Sequence, residues 1–210
     1  MEVGIELTDI IIGGKKIINK TSFKITGENS YCITGVNGAG KTTLLKHIAT
    51  SPEVKITLNN QHVKPLDFQK TISFIPNDPP LFEVLTGYEN IEYIMALWKI
   101  KEKDCYLKRV HDYCNLLGLT KENLTQQIHT YSLGMRYKLF FIAMISRDIQ
   151  LLLLDEPFTA LDKNSQNEIY KILKEFTSKG NILIFVSHIE EFKQKLSNYV
   201  FEIKDKQLII

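Results

Sequence analysis

Residues 35–43 read Gly-Val-Asn-Gly-Ala-Gly-Lys-Thr-Thr, and no other segment constrains the fold as strongly. Gly35, Gly38 and Gly40 open backbone angles that a Cβ closes, and they let the chain press against an anion with no side chain in the way. The amide N–H groups of such a loop converge on phosphate oxygens. Asn37, Gly38, Ala39, Gly40, Lys41, Thr42 and Thr43 are therefore the candidate phosphate cradle. Lys41 offers a point charge to the terminal phosphates, and the Thr42 hydroxyl is placed for Mg²⁺. The loop works only if a strand enters it and a helix leaves it. Tyr31-Cys32-Ile33-Thr34 predicts a buried strand just before. Leu44, Leu45 and Ile48 predict a helix over 42–49. That helix aims its N-terminus at the anion.

Around this unit the first third of the chain is strand-rich. Val3, Ile5 and Leu7 alternate as a strand does, and Thr21 to Thr26 reads as another strand. Ile10-Ile11-Ile12 and Lys15 to Ile18 flank Gly13-Gly14 as a hairpin. Val54 to Leu58 and Thr71 to Ile75 predict further strands. Asp78-Pro79-Pro80 marks a break, after which the pattern turns helical. Thr86-Gly-Tyr-Glu89 has the form of a capping box opening a helix to about Trp98. Helices are also expected over 103–117 and 132–146, the latter with Leu139, Phe140, Ala143 and Met144 as its buried stripe. Strands return at 150–154 and 182–186, separated by a helix capped at Asp162 and ended near Gly180. Residues 199–203 and 207–210 suggest a closing hairpin. This order predicts an α/β fold, a P-loop NTPase core with a mostly parallel sheet, an antiparallel β flank and a helical subdomain. We expect one domain, with 1–77 and 148–210 as core and flank, and about 78–147 as the helical part.

Two further motifs carry chemistry. Leu151-Leu-Leu-Leu-Asp155-Glu156-Pro157 is an apolar strand that delivers two carboxylates at its end, where open α/β sheets bind ligands. Asp155 suits Mg²⁺ and its water shell, and Glu156 suits the general base for an attacking water. Ser187-His188 follows the next apolar strand and offers a polar group to a terminal phosphate.

These residues resemble one family, the ATP-binding cassette ATPases, and the resemblance covers nearly the whole chain. Besides the three motifs above, Phe158-Thr-Ala-Leu-Asp162 is similar to the family's D-loop. Tyr131-Ser132-Leu133-Gly134-Met135 is similar to its signature motif, in a Ser-x-Gly-Met form. The resemblance implies ATP and Mg²⁺ as ligands and Lys41, Glu156 and His188 as catalytic groups. It also implies a dimer, in which the signature helix of one cassette meets the γ-phosphate held by the other, and separate integral membrane permease subunits as partners. By the same resemblance Ile12, with Ile17 nearby, takes the position of the aromatic that stacks on adenine. Asn77 takes the glutamine position of the Q-loop, beside the metal held by Thr42 and Asp155. The small size and signature form resemble exporters.

Composition narrows the alternatives. With 26 basic and 24 acidic residues the net charge is +2, so no nucleic-acid partner is expected. Cys32, Cys105 and Cys114 lack metal-ligand spacing and read as reduced thiols. The N-terminal residues show no signal peptide pattern. Leu139–Ile145 and Leu151–Leu154 are too short to span a bilayer. With the resemblance, this implies a cytoplasmic place, peripheral at the cytoplasmic face of the cell membrane. A small-molecule kinase would want several arginines on its phosphates, and the chain has only Arg109, Arg136 and Arg147. A cassette serving a soluble, non-transport assembly is the other alternative. Pro79, Pro80, Leu81 and Phe82 form an apolar stretch that either packs on the helical part or receives a membrane partner's cytoplasmic helix.

Overall fold

The strand–loop–helix unit consists of β5 (Ser30–Thr34) and α1 (Lys41–Thr50), in a computed structural model that describes residues 1–210. By its contacts the chain groups into two units. The first comprises Met1–Pro76, Ile149–Pro157 and Ile172–Ile210, and the second Asn77–Asp148 and Phe158–Lys171.

The first unit holds two sheets and a hairpin. One sheet contains β8 (Ile72–Ile75), β9 (Leu151–Asp155), β10 (Ile182–Val186), β11 (Tyr199–Lys204), β12 (Gln207–Ile209) and β5, in the order β12-β11-β5-β10-β9-β8. All neighbours in it are parallel except β11 and β12, which form the closing hairpin. Every residue of β9 and β10 is buried, as strands covered on both faces should be, and apart from Asp155 their composition of leucine, isoleucine, phenylalanine and valine reflects it. The order places β10 between β5 and β9. Three neighbouring strands therefore end side by side and deliver the glycine-rich loop, Ser187-His188 and Asp155-Glu156.

The second sheet is antiparallel, in the order β4-β1-β6-β7, from β1 (Glu2–Leu7), β4 (Thr21–Thr26), β6 (Lys55–Leu58) and β7 (Gln61–Val63). Val3, Ile5 and Leu7 face the core while Glu6 faces out, the alternation of a half-covered sheet. β2 (Ile10–Ile12) and β3 (Lys15–Ile18) make the hairpin turning at Gly13-Gly14.

The second unit is helical. In α3 (Gly87–Leu97) the capping box forms in full: the Thr86 hydroxyl accepts from the Glu89 N–H, and Glu89 reaches back to the Thr86 N–H at 2.7 Å. α4 (Lys103–Leu117) ends on Gly118 in the left-handed region. For α6 (Leu133–Ile145) the expected stripe is too narrow. Every residue from Leu139 to Ile145 is buried, because α6 packs against both α3 and α4 and so needs apolar residues all round. α7 (Lys163–Ser178) opens on Asp162, which accepts from the Ser165 N–H at 2.9 Å. The short elements β7, α2 (Pro65–Lys70), α5 (Lys121–Thr125) and α8 (Glu190–Leu196) carry too few apolar positions to show a period. Cys32 and Cys114 are buried and Cys105 is exposed, all three free. Burial pushes both buried thiols up to about 11, so neither is a nucleophile at neutral pH.

Candidate functional site

Gly40 caps α1 in the left-handed region, with φ 102°. A Cβ there would also lie 2.6 Å from Cγ2 of Ile17. Both the turn and the packing of the β2–β3 hairpin against the loop therefore demand glycine. Lys41 is buried, and its Nζ donates to the carbonyls of Gly35 (2.8 Å) and Val36 (3.2 Å). The ammonium thus sits inside the curl of the loop. Asn37 and Gly38 are exposed at its crest, while Ala39 and Gly40 are half-buried.

The Thr42 hydroxyl donates to Oδ1 of Asp155 at 3.1 Å, across 113 residues of sequence. Burial raises the Asp155 carboxyl above its usual range, and the Thr42 hydrogen bond and the charge of Lys41 pull only partly the other way. A desolvated carboxylate beside a hydroxyl is a donor set of hard oxygens that a bound divalent cation would relieve. No three His, Cys, Asp or Glu side chains converge as a cage. Mg²⁺ needs none, since it keeps waters and takes substrate phosphates as ligands.

Glu156 follows β9 at φ 51°, unusual for a non-glycine residue. This kink separates the two carboxylates. Asp155 turns to Thr42, and Glu156 turns to His188. Glu156 Oε2 accepts from the His188 N–H at 3.0 Å, and Oε1 lies 3.3 Å from His188 Nε2. The glutamate side chain is 14% exposed and the imidazole 61%. A carboxylate oriented by the His188 amide can hold and polarise a water, and the exposed imidazole beside it can hydrogen-bond a phosphate.

The two isoleucines do not border the same hollow. Ile12 is 55% exposed and lines an open hollow of about 620 Å³ with Thr42, Thr43, Lys46 and His47. Ile17 is half-buried and lines another, of about 430 Å³, with Val36, Gly38 and Ala39. His47 belongs to none of the sequence motifs. It lies four residues after Thr43 on the same face of α1, a spacing that could have found it.

The remaining candidates lie in the second unit. Ser132 caps α6, its Oγ accepting from the Met135 N–H at 3.2 Å. Leu133 is exposed, and Gly134 and Met135 are half-buried. A Cβ on Gly134 would come within 2.7 Å of the Ala160 carbonyl oxygen, so the signature motif and the 158–162 segment touch through that missing side chain. Asp162 is held well below the usual carboxylate range, first by the Ser165 hydroxyl and amide and also by Lys138, 3.3 Å away on α6. Asn77 is exposed in the loop after β8.

A family model described as ABC transporter matches residues 18–159. The chain belongs to the ABC transporter family. It carries that family's nucleotide-binding domain, an ATPase. It is 30% identical over 197 residues to an uncharacterized ABC transporter ATP-binding protein, YhcH, of Bacillus subtilis, an alignment covering 89% of this chain and 62% of that protein. The chain thus spans less than two thirds of the length of that relative. It is 29% identical to the energy-coupling factor transporter ATP-binding protein EcfA1 of Thermotoga maritima, covering 85% of this chain and 74% of the relative. It is 26% identical to the lantibiotic transport ATP-binding protein SrtF of Streptococcus pyogenes, with 94% and 85% covered. A solved structure of an ATP binding subunit of an ABC transporter superposes with a TM-score of 0.87 at 21% identity, covering 99% of this chain and 88% of that one. The ABC ATPase fold follows from that match.

Proposed function

We propose that this chain is the ATP-hydrolysing subunit of a transporter, working as one cassette of a pair beneath separate membrane subunits. The observation that carries the reading is the convergence at the ends of β5, β9 and β10. Lys41 and the loop amides hold the phosphates, Thr42 and Asp155 hold Mg²⁺, and Glu156, oriented by His188, polarises the attacking water. When bound, Mg²⁺ neutralises charge on the phosphate oxygens. The domain is single, with about 78–147 as its helical part. The capped N-terminus of α6, with Ser132 to Met135, supplies N–H groups and a positive dipole end to the nucleotide of the second cassette. Asp162 belongs to the same contact, and Asn77 contributes its amide oxygen to the metal or its water. Export is the direction we favour, because the signature form and small size resemble those of exporter cassettes. Dilution tests the pairing: the specific rate of ATP hydrolysis should fall as the chain is diluted. A rate per molecule that stays constant would show a solitary enzyme.

The kinase reading finds no support in the arginines. Arg109 Nε donates to the Ser146 carbonyl at 2.7 Å, Arg147 lies 3.4 Å from the Trp98 ring centroid, and Arg136 pairs with Glu83. All three serve the helical unit.

Ile12 makes the base contact testable. Stacking on an aromatic contributes about 1–3 kcal/mol per base, and isoleucine supplies only part of it. Ile12→Tyr should tighten ATP binding about fivefold by calorimetry, with no change in folding stability because the side chain is exposed. Unchanged affinity would mean that the base lies elsewhere.

The loop after Pro80 is the expected seat of the membrane subunit. Pro79 is buried, while Phe82 and Val84 are 45% and 73% exposed. Glu83 and Glu89 are poor places to probe it, since one pairs with Arg136 and the other closes the capping box. The combined Phe82→Ser and Val84→Ser change should move the chain from the membrane to the soluble fraction of cells, with ATP binding intact. Unchanged sedimentation with membranes would remove this loop from the interface. No helix of the chain is long and apolar enough to cross a membrane, so attachment through such a surface is what the proposal requires.

A further inference from the structure

One side-chain bond ties the signature helix to the exposed 82–85 loop, and a ladder beside it ties that loop to the segment leading into the helix. Arg136 lies in the first turn of α6, its N–H donating to the Ser132 carbonyl at 3.0 Å. Its Nη1 donates to Glu83 Oε1 at 2.7 Å. The backbone follows the same path. The His129 N–H donates to the Glu83 carbonyl (3.0 Å), the Ile128 N–H to the Leu85 carbonyl (3.0 Å), and the Gly87 N–H to the Gln126 carbonyl (3.2 Å). The Gln127 side chain donates to the Val84 carbonyl at 3.0 Å, and Thr86 bridges Gln127. Residues 83–87 and 126–129 thus form a short ladder that ends three residues before Ser132. Asn90, 1% exposed, grips the same loop through the Phe82 N–H (2.9 Å) and the carbonyls of Phe82 (3.1 Å) and Thr86 (2.9 Å).

A cation in the first turn opposes the helix dipole, so Arg136 is not there to stabilise α6. A solvent-facing ion pair also contributes little to folding. Its geometry is the remaining explanation. Arginine carries its donors on a rigid plane, and the single bond from Nη1 to Glu83 ties that plane to a loop already held on two sides.

We propose that Arg136 is a positioning residue. Paired with Glu83, it fixes the direction in which α6 presents Ser132 to Met135, and so joins the exposed loop and the anion-binding helix end into one rigid piece. The inference rests on the reading that this helix end completes the nucleotide site of a second copy, and it adds what aims it.

The test uses the full chain carrying Glu156→Gln, with dimer formation followed by sedimentation velocity across an ATP titration. Glu83→Gln and Arg136→Gln should each raise the ATP concentration for half-dimerisation about fivefold. ATP affinity of the monomer, read with a fluorescent analogue at high dilution, should stay unchanged, as should the melting temperature. Exchanging the charges, Glu83→Arg with Arg136→Glu, should recover the parent's midpoint to within about twofold. A shifted midpoint at an unchanged melting temperature is a result that a merely stabilising role would not give, and the rescue ties that shift to the pair itself. Single variants that dimerise at the parent's ATP concentration overturn the inference, and so does an exchange as weak as either single variant. A parent that stays monomeric at saturating ATP ends the pairing itself and the inference with it. That failure is distinct, because it is seen before either position is changed.

Discussion

Replacing Glu156 with glutamine is expected to slow ATP hydrolysis by about 10²–10⁴-fold, the usual contribution of a positioned general base, while ATP stays bound. Glutamine has the same length and keeps a carbonyl oxygen for the His188 N–H, now bonded at 3.0 Å to Glu156. The loop, Lys41 and the Thr42–Asp155 bond are untouched. What is lost is the negative charge that polarises water. Phosphate release measured beside equilibrium ATP binding separates the two effects. The unhydrolysed nucleotide should also hold two cassettes together, giving a dimer that dissolves when ATP is removed. Native turnover by Glu156→Gln would reassign the base. Loss of ATP binding instead would mean that Glu156 helps to build the phosphate site.

Gly40→Ala should abolish measurable ATP binding at concentrations that saturate the native chain. Two costs fall on the same atom. At φ 102° any side chain is strained, and the new methyl would meet Ile17 at 2.6 Å and Ile18 at 3.4 Å. Relief requires the loop to move away from the hairpin or the start of α1 to unwind. Either change disperses the N–H groups that converge on phosphate. Gly38→Ala is the control. Its φ of 80° also strains a side chain, but nothing lies within 4 Å of its Cβ, so it should weaken ATP binding far less. Equal losses from the two variants would show that strain alone matters and that the hairpin contact does not.

Much of the architecture could be read locally. The glycine-rich loop between an apolar strand and a periodic helix, the Thr86–Glu89 capping box and the leucine strand before Asp155 are all written in consecutive residues. The helix over 103–117 and the strand over 182–186 match α4 and β10 residue for residue. Elements of six residues or fewer with mixed faces, such as α2 and β7, left no period to detect. The stripe expected on α6 is too narrow because periodicity registers one covered face, and from Leu139 to Ile145 this helix is buried all round. Candidate chemistry was likewise legible by residue type, but not the division of labour between Ile12 and Ile17, nor His47 in the hollow beside Thr43.

The sequence by itself determined that a phosphate loop, two carboxylates and a histidine end three buried strands, because each motif is a local pattern of backbone freedom and burial. It could not determine that β10 lies between β5 and β9, that Thr42 meets Asp155 across 113 residues, or that Arg136 grips Glu83 across 53. Those pairings depend on strand order and register, which are fixed only when distant segments bury their apolar faces together. No window of consecutive residues contains that information.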